Sequence, residues 1–160
     1  MKPVQAPMLR REELKKFNRA TRGHGVRVGL ANGAFDLLHV GHIRYLQAAA
    51  DACDVLVVAV NSDVSVKLSK GPERPLIPQD ERAEMVCALS GVDAVHIFDE
   101  QTVSDVIREL EPTFHFKGTD YSAASVPEAS LVQSLGGQVV IVGDPKHHST
   151  TDTVKKLSKV

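Results

Sequence analysis

Two histidines, His39 and His42, stand three residues apart around Gly41 in the stretch "NGAFDLLHVGH", residues 32–42. Residues at i and i+3 share one face of a helix. A helix beginning near Val40 would place both imidazoles on its first turn. There the backbone offers unpaired N–H groups and the positive end of the helix dipole, which suits a phosphate. Gly33 and Gly41 carry no side chain, so an anion can approach the backbone closely. Imidazole N–H groups can donate to phosphate oxygens. Other chemistries fit less well. A metal held by histidines at this spacing needs carboxylate or cysteine partners, and no such cluster is evident in the sequence. Neither a G-x-S-x-G nucleophile turn nor a Walker loop occurs. The plain alternative stays open, because a histidine near a helix start is commonly a cap or a solvated residue.

The elements that must hold this pair alternate in type. "VRVGLA" (26–31), "DVLVVAV" (54–60), "DAVHIF" (93–98), "TFHFKG" (113–118) and "QVVIVG" (138–143) read as apolar strands. Between and after them lie helical patterns: 41–53, 61–69, 79–91, 102–112, 127–137 and 149–159, with a further short helix at "REELKKFNRATR". Strands apolar on both faces and separated by helices predict a Rossmann-like, three-layer α/β/α fold with a five-stranded parallel sheet. Ligands of such sheets bind beyond the carboxyl ends of the strands, where the strand order reverses. The polar motifs fall there: "NGAFD", "NSD", "KGTDY" and "HHSTT". The segment "KGPERPLIP" (70–78), with three prolines, reads as a loop.

Composition narrows the function classes. The 160 residues fit one domain, expected over residues 11–160 behind a loose N-terminal arm, residues 1–10. A net charge of −1 gives no broad basic field, so nucleic acid is not an expected partner. No apolar run approaches the roughly 20 residues of a membrane span, and the N-terminus lacks the apolar core of a signal peptide. A cytoplasmic protein without membrane partners is the expectation. The two cysteines, Cys53 and Cys87, form no metal or redox motif and read as small buried hydrophobes.

The stretch "GAFDLLHVGH" fits the pattern G-x-F-D-x-x-H-x-G-H, and through it the chain resembles the cytidylyltransferase-like nucleotidyltransferases. The pieces "VAVNSD", "KGPERP", Glu81-Arg82, "KGTDY" and "STTDTVKKL" are similar to the branch that adenylylates D-glycero-D-manno-heptose 1-phosphate, in a form without a sugar-kinase domain. The likeness runs from about residue 10 to residue 158. Ala34 stands where that branch commonly has cysteine, Thr119 where glycine is frequent, and "KHH" precedes "STT". The last departure bears on which sugar is accepted.

The resemblance implies transfer of an adenylyl group from ATP to heptose 1-phosphate by one in-line displacement, with Mg2+ accompanying the triphosphate, few protein ligands of its own and no metal-binding residue singled out. It also implies a homodimer. His39, His42 and Lys70 are the expected catalytic groups. Asn32, Gly33, Ala34, Phe35, Gly41, Lys117, Gly118, Asp120, Ser149, Thr150 and Thr151 are expected to bind nucleotide. Asp36, Asn61, Asp63 and Arg82 are candidates for phosphate or substrate contact. Each has a plainer reading: Asp36 holds the turn, Asn61 and Asp63 cap a helix, and Arg82 pairs with Asp80 or Glu81. His24, His96 and His115 are read as structural. Two other functions stay open on these motifs: a CTP-dependent cytidylyltransferase acting on glycerol 3-phosphate or another small phosphorylated alcohol, and a nucleotide-binding module without catalysis.

Overall fold

The computed structural model of the chain describes residues 5–145 and 150–157. Five strands form one sheet: β1 Val28–Gly33, β2 Val55–Asn61, β3 Ala94–Phe98, β4 Phe114–Lys117 and β5 Gln138–Ile141. Their order is β3-β2-β1-β4-β5, and every neighbouring pair is parallel. The chain builds outward from β1 to β3, then returns to lay β4 on the other side of β1. The reversal therefore falls between β1 and β4. The helices are α1 Arg11–Arg22, α2 Val40–Asp51, α3 Asp63–Lys70, α4 Gln79–Cys87, α5 Ser104–Leu110, α6 Ala129–Ser134 and α7 Thr150–Leu157. A short 3-10 turn, Ala123–Ser125, is an element that sequence reading did not anticipate.

The near-continuous apolar run of β2 divides between two cores, because successive side chains point to opposite faces. Leu56, Val58 and Val60 pack with Leu46 and Ala49 of α2 and with Ala83 and Val86 of α4. Val57 and Ala59 pack with Leu14 of α1, with Val106, Ile107 and Leu110 of α5, and with Val132 of α6. Helices thus cover both faces of the sheet, giving the three layers expected. Gly29 in β1 is needed for this packing, since a Cβ there would collide with the Phe116 ring and the Cys53 sulfur.

The arm expected to be loose is docked where it is described. Ala6 N–H donates to the Cys87 carbonyl, Val95 N–H to the Pro7 carbonyl and Leu9 N–H to the Val95 carbonyl. Met8 forms a parallel bridge with Val95. The reason lies in β3, an edge strand whose outer N–H and C=O groups need partners. The arm supplies them, and the Leu9 carbonyl also bonds the ring of buried His96 at 2.9 Å. Burial pushes the His96 pKa down, and this histidine is structural, as read.

Candidate active site

A cavity of about 450 Å3 opens at the carboxyl ends of β1 and β4, the point where the strand order reverses. Its size is that of a small-molecule site. Asn32 and Gly33 from the end of β1, Phe35, His39, Gly41 and His42 line one side. Lys117, Gly118, Thr119, Asp120 and Tyr121 line another, with Asn61, Lys70 and the turn Val142–Pro145 completing the rim.

His39 is the N-cap of α2. Its Nδ1 accepts the Gly41 N–H at 3.1 Å. The neutral ring therefore carries its proton on Nε2 and is a donor there. His42 stacks on it, with ring centroids 3.9 Å apart and planes 25° from parallel. Phe35 packs edge-on against His42 at 5.3 Å. Phe35 has φ of 50°, a left-handed backbone rare for a bulky residue. Its ring also lies over Gly33, where a Cβ would come within 3.2 Å of it. The two imidazoles are thus held as one stacked unit at a helix start.

The opposite wall rests on buried polar groups. Lys117 is 8% exposed. Its ammonium donates to Asn32 Oδ1 at 3.0 Å, lies 3.6 Å from Glu128 and sits 5.3 Å from the Tyr121 ring centroid. Burial pushes its pKa down, and Glu128 opposes that shift. His115, fully buried behind them, reaches the same Asn32 oxygen at 3.2 Å. Tyr45 donates its hydroxyl to the Phe116 carbonyl at 2.8 Å, and burial pushes its phenol pKa up. Outside, Arg44 pairs with Asp144 at 2.9 Å, and the Thr119 hydroxyl donates to the Asp144 carbonyl at 2.7 Å. Thr119 thereby ties the turn after β4 to the turn after β5.

Four residues expected at the site have other partners. Arg82 is fully buried. It donates to the carbonyls of Ile77, Ala34 and Asn61 and pairs with Asp63 at 2.7 Å. It contacts neither Asp80 nor Glu81 through these bonds, and it does not line the cavity. Ala34 offers its carbonyl to Arg82 and is likewise absent from the lining. Asp63 is taken by Arg82, and the cap of α3 is Ser62, whose hydroxyl accepts the Ser65 N–H. Asn61 does line the cavity, while its amide donates to the Ser65 hydroxyl at 2.9 Å.

Asp36 is 1% exposed and holds more than its own turn. Its carboxylate pairs with Arg74 at 2.6 Å and accepts the N–H groups of Leu76 at 2.8 Å and Ile77 at 3.0 Å. The second half of the proline-rich loop is therefore pinned to the turn after β1. In hydrogen exchange, the Leu76 and Ile77 amides are expected to be protected without nucleotide. Added ATP analogue and Mg2+ should slow exchange only over residues 66–73, as Lys70 closes on the site. Faster exchange at Leu76 and Ile77 instead would show that the anchor releases on binding.

Lys70 ends α3 at the rim, while Lys67 is exposed and does not line the cavity. Ser149, His147 and His148 lie outside the described residues. Thr150 and Thr151 begin α7, and their side chains also lie outside what is described. Sequence reading missed Tyr45, Arg44, Tyr121, His115 and Glu128. A signal existed for Tyr45, which follows Gly41 by four residues and so shares its helix face. No local pattern marks Glu128, whose partner is eleven residues away in sequence.

A parallel sheet with an anion-suited helix start at its switch point, over a cavity of nucleotide size, defines a nucleotide-binding α/β domain. The chain belongs to the cytidylyltransferase-like family, whose sequence model matches residues 30–156. The bifunctional protein HldE of Trichlorobacter lovleyi is 43% identical over 147 residues, covering 92% of this chain and 30% of that protein. HldE of Paramagnetospirillum magneticum is 47% identical over 137 residues, 86% of this chain and 28% of that protein. The chain thus spans about 30% of the length of these relatives. Among solved structures, the lipopolysaccharide core biosynthesis protein from Thermoplasma volcanium superposes with a TM-score of 0.66 at 27% identity, covering 76% of this chain and 100% of that one. Among the described residues, no helix is long and apolar enough to cross a membrane.

Proposed function

We propose that the chain transfers the adenylyl group of ATP to D-glycero-D-manno-heptose 1-phosphate, giving ADP-heptose and pyrophosphate. The observation that carries this reading is the stacked His39–His42 pair at the start of α2, with the cap bond leaving His39 Nε2–H as a donor beside the cavity. A phosphate oxygen of the sugar phosphate attacks the α-phosphorus. The bond from that phosphorus to the β-phosphate oxygen breaks, and pyrophosphate leaves with the electron pair. The nucleophile is already an anion, so the protein needs neither a nucleophilic side chain nor a general base. Its work is orientation and stabilisation of charge moving to the leaving group. His39 and His42 donate to the phosphates, Lys70 adds a mobile positive charge at the rim, and Asn32, Gly118 and Asp120 border the nucleoside.

Mg2+ is part of the proposal. Among the described residues no group of three His, Cys, Asp or Glu side chains could hold a metal. Mg2+ at a triphosphate usually takes most of its ligands from phosphate oxygens and water, and would do so here. When bound, it neutralises charge on the triphosphate. The heptose and the homodimer rest on the motif resemblance.

The test is a matrix of ATP, CTP, GTP, UTP and dTTP against several sugar 1-phosphates and glycerol 3-phosphate, read by pyrophosphate release. ATP with heptose 1-phosphate should be preferred. A pocket whose polar groups pair with adenine leaves them unpaired with cytosine, at about 1–3 kcal/mol per group. Two such losses give a preference for ATP over CTP on the order of 100-fold in kcat/KM. Equal use of CTP would overturn the adenylyl assignment, and turnover of glycerol 3-phosphate in place of the sugar would overturn the acceptor.

A further inference from the structure

We propose that His115 is a positioning residue of this site, which together with Lys117 locks the Asn32 side chain so that its amide N–H group faces the cavity as a donor to an acceptor oxygen of a bound substrate. Asn32 Oδ1 meets two groups at once, Lys117 Nζ at 3.0 Å and His115 Nε2 at 3.2 Å. An ammonium can only donate, so the Asn32 atom facing it is the oxygen. That oxygen then has no proton for His115, and the His115 Nε2 must carry one. The tautomer of one residue and the amide orientation of the other follow from the same pair of distances. With both oxygen lone pairs engaged from behind, the Asn32 Nδ2 occupies the other branch of the planar amide. Asn32 lines the cavity.

His115 has little reason to be a histidine for stability. It is 0% exposed, and its Nδ1 has no hydrogen-bond partner among the described residues. A buried acceptor left unsatisfied is destabilising. Its neighbours along β4, Phe114 and Phe116, are apolar. Among the described residues, the one hydrogen bond of the imidazole goes to Asn32. Burial, aided by the Lys117 charge, pushes its pKa down to about 3, so the ring stays neutral and keeps a single proton to place. Lys117 alone would not hold the amide as firmly, because its ammonium also faces Glu128 and the Tyr121 ring. The acceptor belongs either to the nucleotide or to the sugar phosphate, and the two are separable by experiment.

The role rests on the nucleotidyl transfer proposed above, and the test separates the two. In the wild-type chain, 15N NMR of the histidine rings should show His115 protonated on Nε2; protonation on Nδ1 would overturn the proposal. His115→Leu should weaken binding of a non-hydrolysable ATP analogue, or raise KM for the sugar phosphate, by about 10-fold, the scale of one misplaced hydrogen bond. The analogue arm assigns the acceptor to the nucleotide, and the KM arm assigns it to the sugar phosphate. Thermal stability should hold or rise, since the orphaned Nδ1 is gone. His115→Gln, whose amide N–H can still donate to Asn32, should recover most of the loss. Unchanged affinity for both substrates in His115→Leu, or a glutamine variant no better than leucine, would overturn it. Were the wild-type chain inactive with every substrate pair, the proposed activity would fail, while analogue binding and the ring tautomer would still decide this inference.

Discussion

Replacing His39 by asparagine lowers kcat by about 100-fold or more, the scale of losing one preorganised donor to a transition state, and leaves thermal stability nearly unchanged. Asparagine is the informative choice because of what His39 does locally. Its Nδ1 caps α2 by accepting the Gly41 N–H. Asparagine caps a helix well, whereas alanine would forfeit about 1 kcal/mol at the cap. His39→Asn therefore removes the Nε2–H donor and keeps the helix start. Nucleotide affinity falls much less than kcat, because the helix end and the rest of the cavity still bind the phosphates. His42→Ala should lose a similar factor in kcat with some added loss of stability, since its ring packs on both His39 and Phe35. Steady-state kinetics of both variants, set beside melting temperatures, measure this. A near-normal kcat in either variant would remove that histidine from the chemistry.

Replacing Arg82 by methionine costs about 3 kcal/mol of stability, from buried carbonyls left without donors. For a domain of this size that lowers Tm by roughly 6–12 °C. Arg82 joins three segments: the residue after β1 through the Ala34 carbonyl, the end of β2 through the Asn61 carbonyl, and the proline-rich loop through the Ile77 carbonyl. Methionine fills the space and serves none of them. Asp63, one-third exposed, can turn to water, so the loss is set mainly by the carbonyls. Lysine should recover only part, since one ammonium cannot span acceptors that a planar guanidinium reaches in several directions. Analogue affinity should fall as well, because Asn61 lines the cavity and the loop carries Lys70 at its start. Denaturant melts and calorimetry of the two variants decide it. A methionine variant within about 2 °C of wild type, less than 1 kcal/mol on this scale, would show that the carbonyls find water and that Arg82 is no staple.

The alternation of elements was legible in the sequence because it depends on local periodicity. Buried parallel strands are apolar on both faces, and each helix bounds itself with caps, prolines and glycines. Five strands and the helices between them fall close to where the patterns put them. The histidine pair was legible for a similar reason: its spacing, the glycine between and the preceding strand are all within seventeen residues, and helix geometry then dictates a shared face. Even the docking of the arm had a general cause in the exposed edge of β3, but which strand would be the edge depends on the order β3-β2-β1-β4-β5, and no single element carries that order.

What only the tertiary structure decided is which charged and polar residues face the cavity. Arg82 and Lys70 are both cations in or beside the loop region, and Asp36 and Asp120 both follow a strand. Composition and spacing give each pair the same standing. Folding separates them. Carbonyls from three segments converge where Arg82 lies, and two amides with Arg74 converge on Asp36, so these side chains are consumed in holding the walls. His115 and Glu128 join the site from the other direction, through Asn32 and Lys117. A charged side chain goes where its hydrogen-bonding capacity is best met, and its partners here lie up to 100 residues away in sequence. That choice is made by the packing of distant backbone, which a residue's own neighbours do not encode.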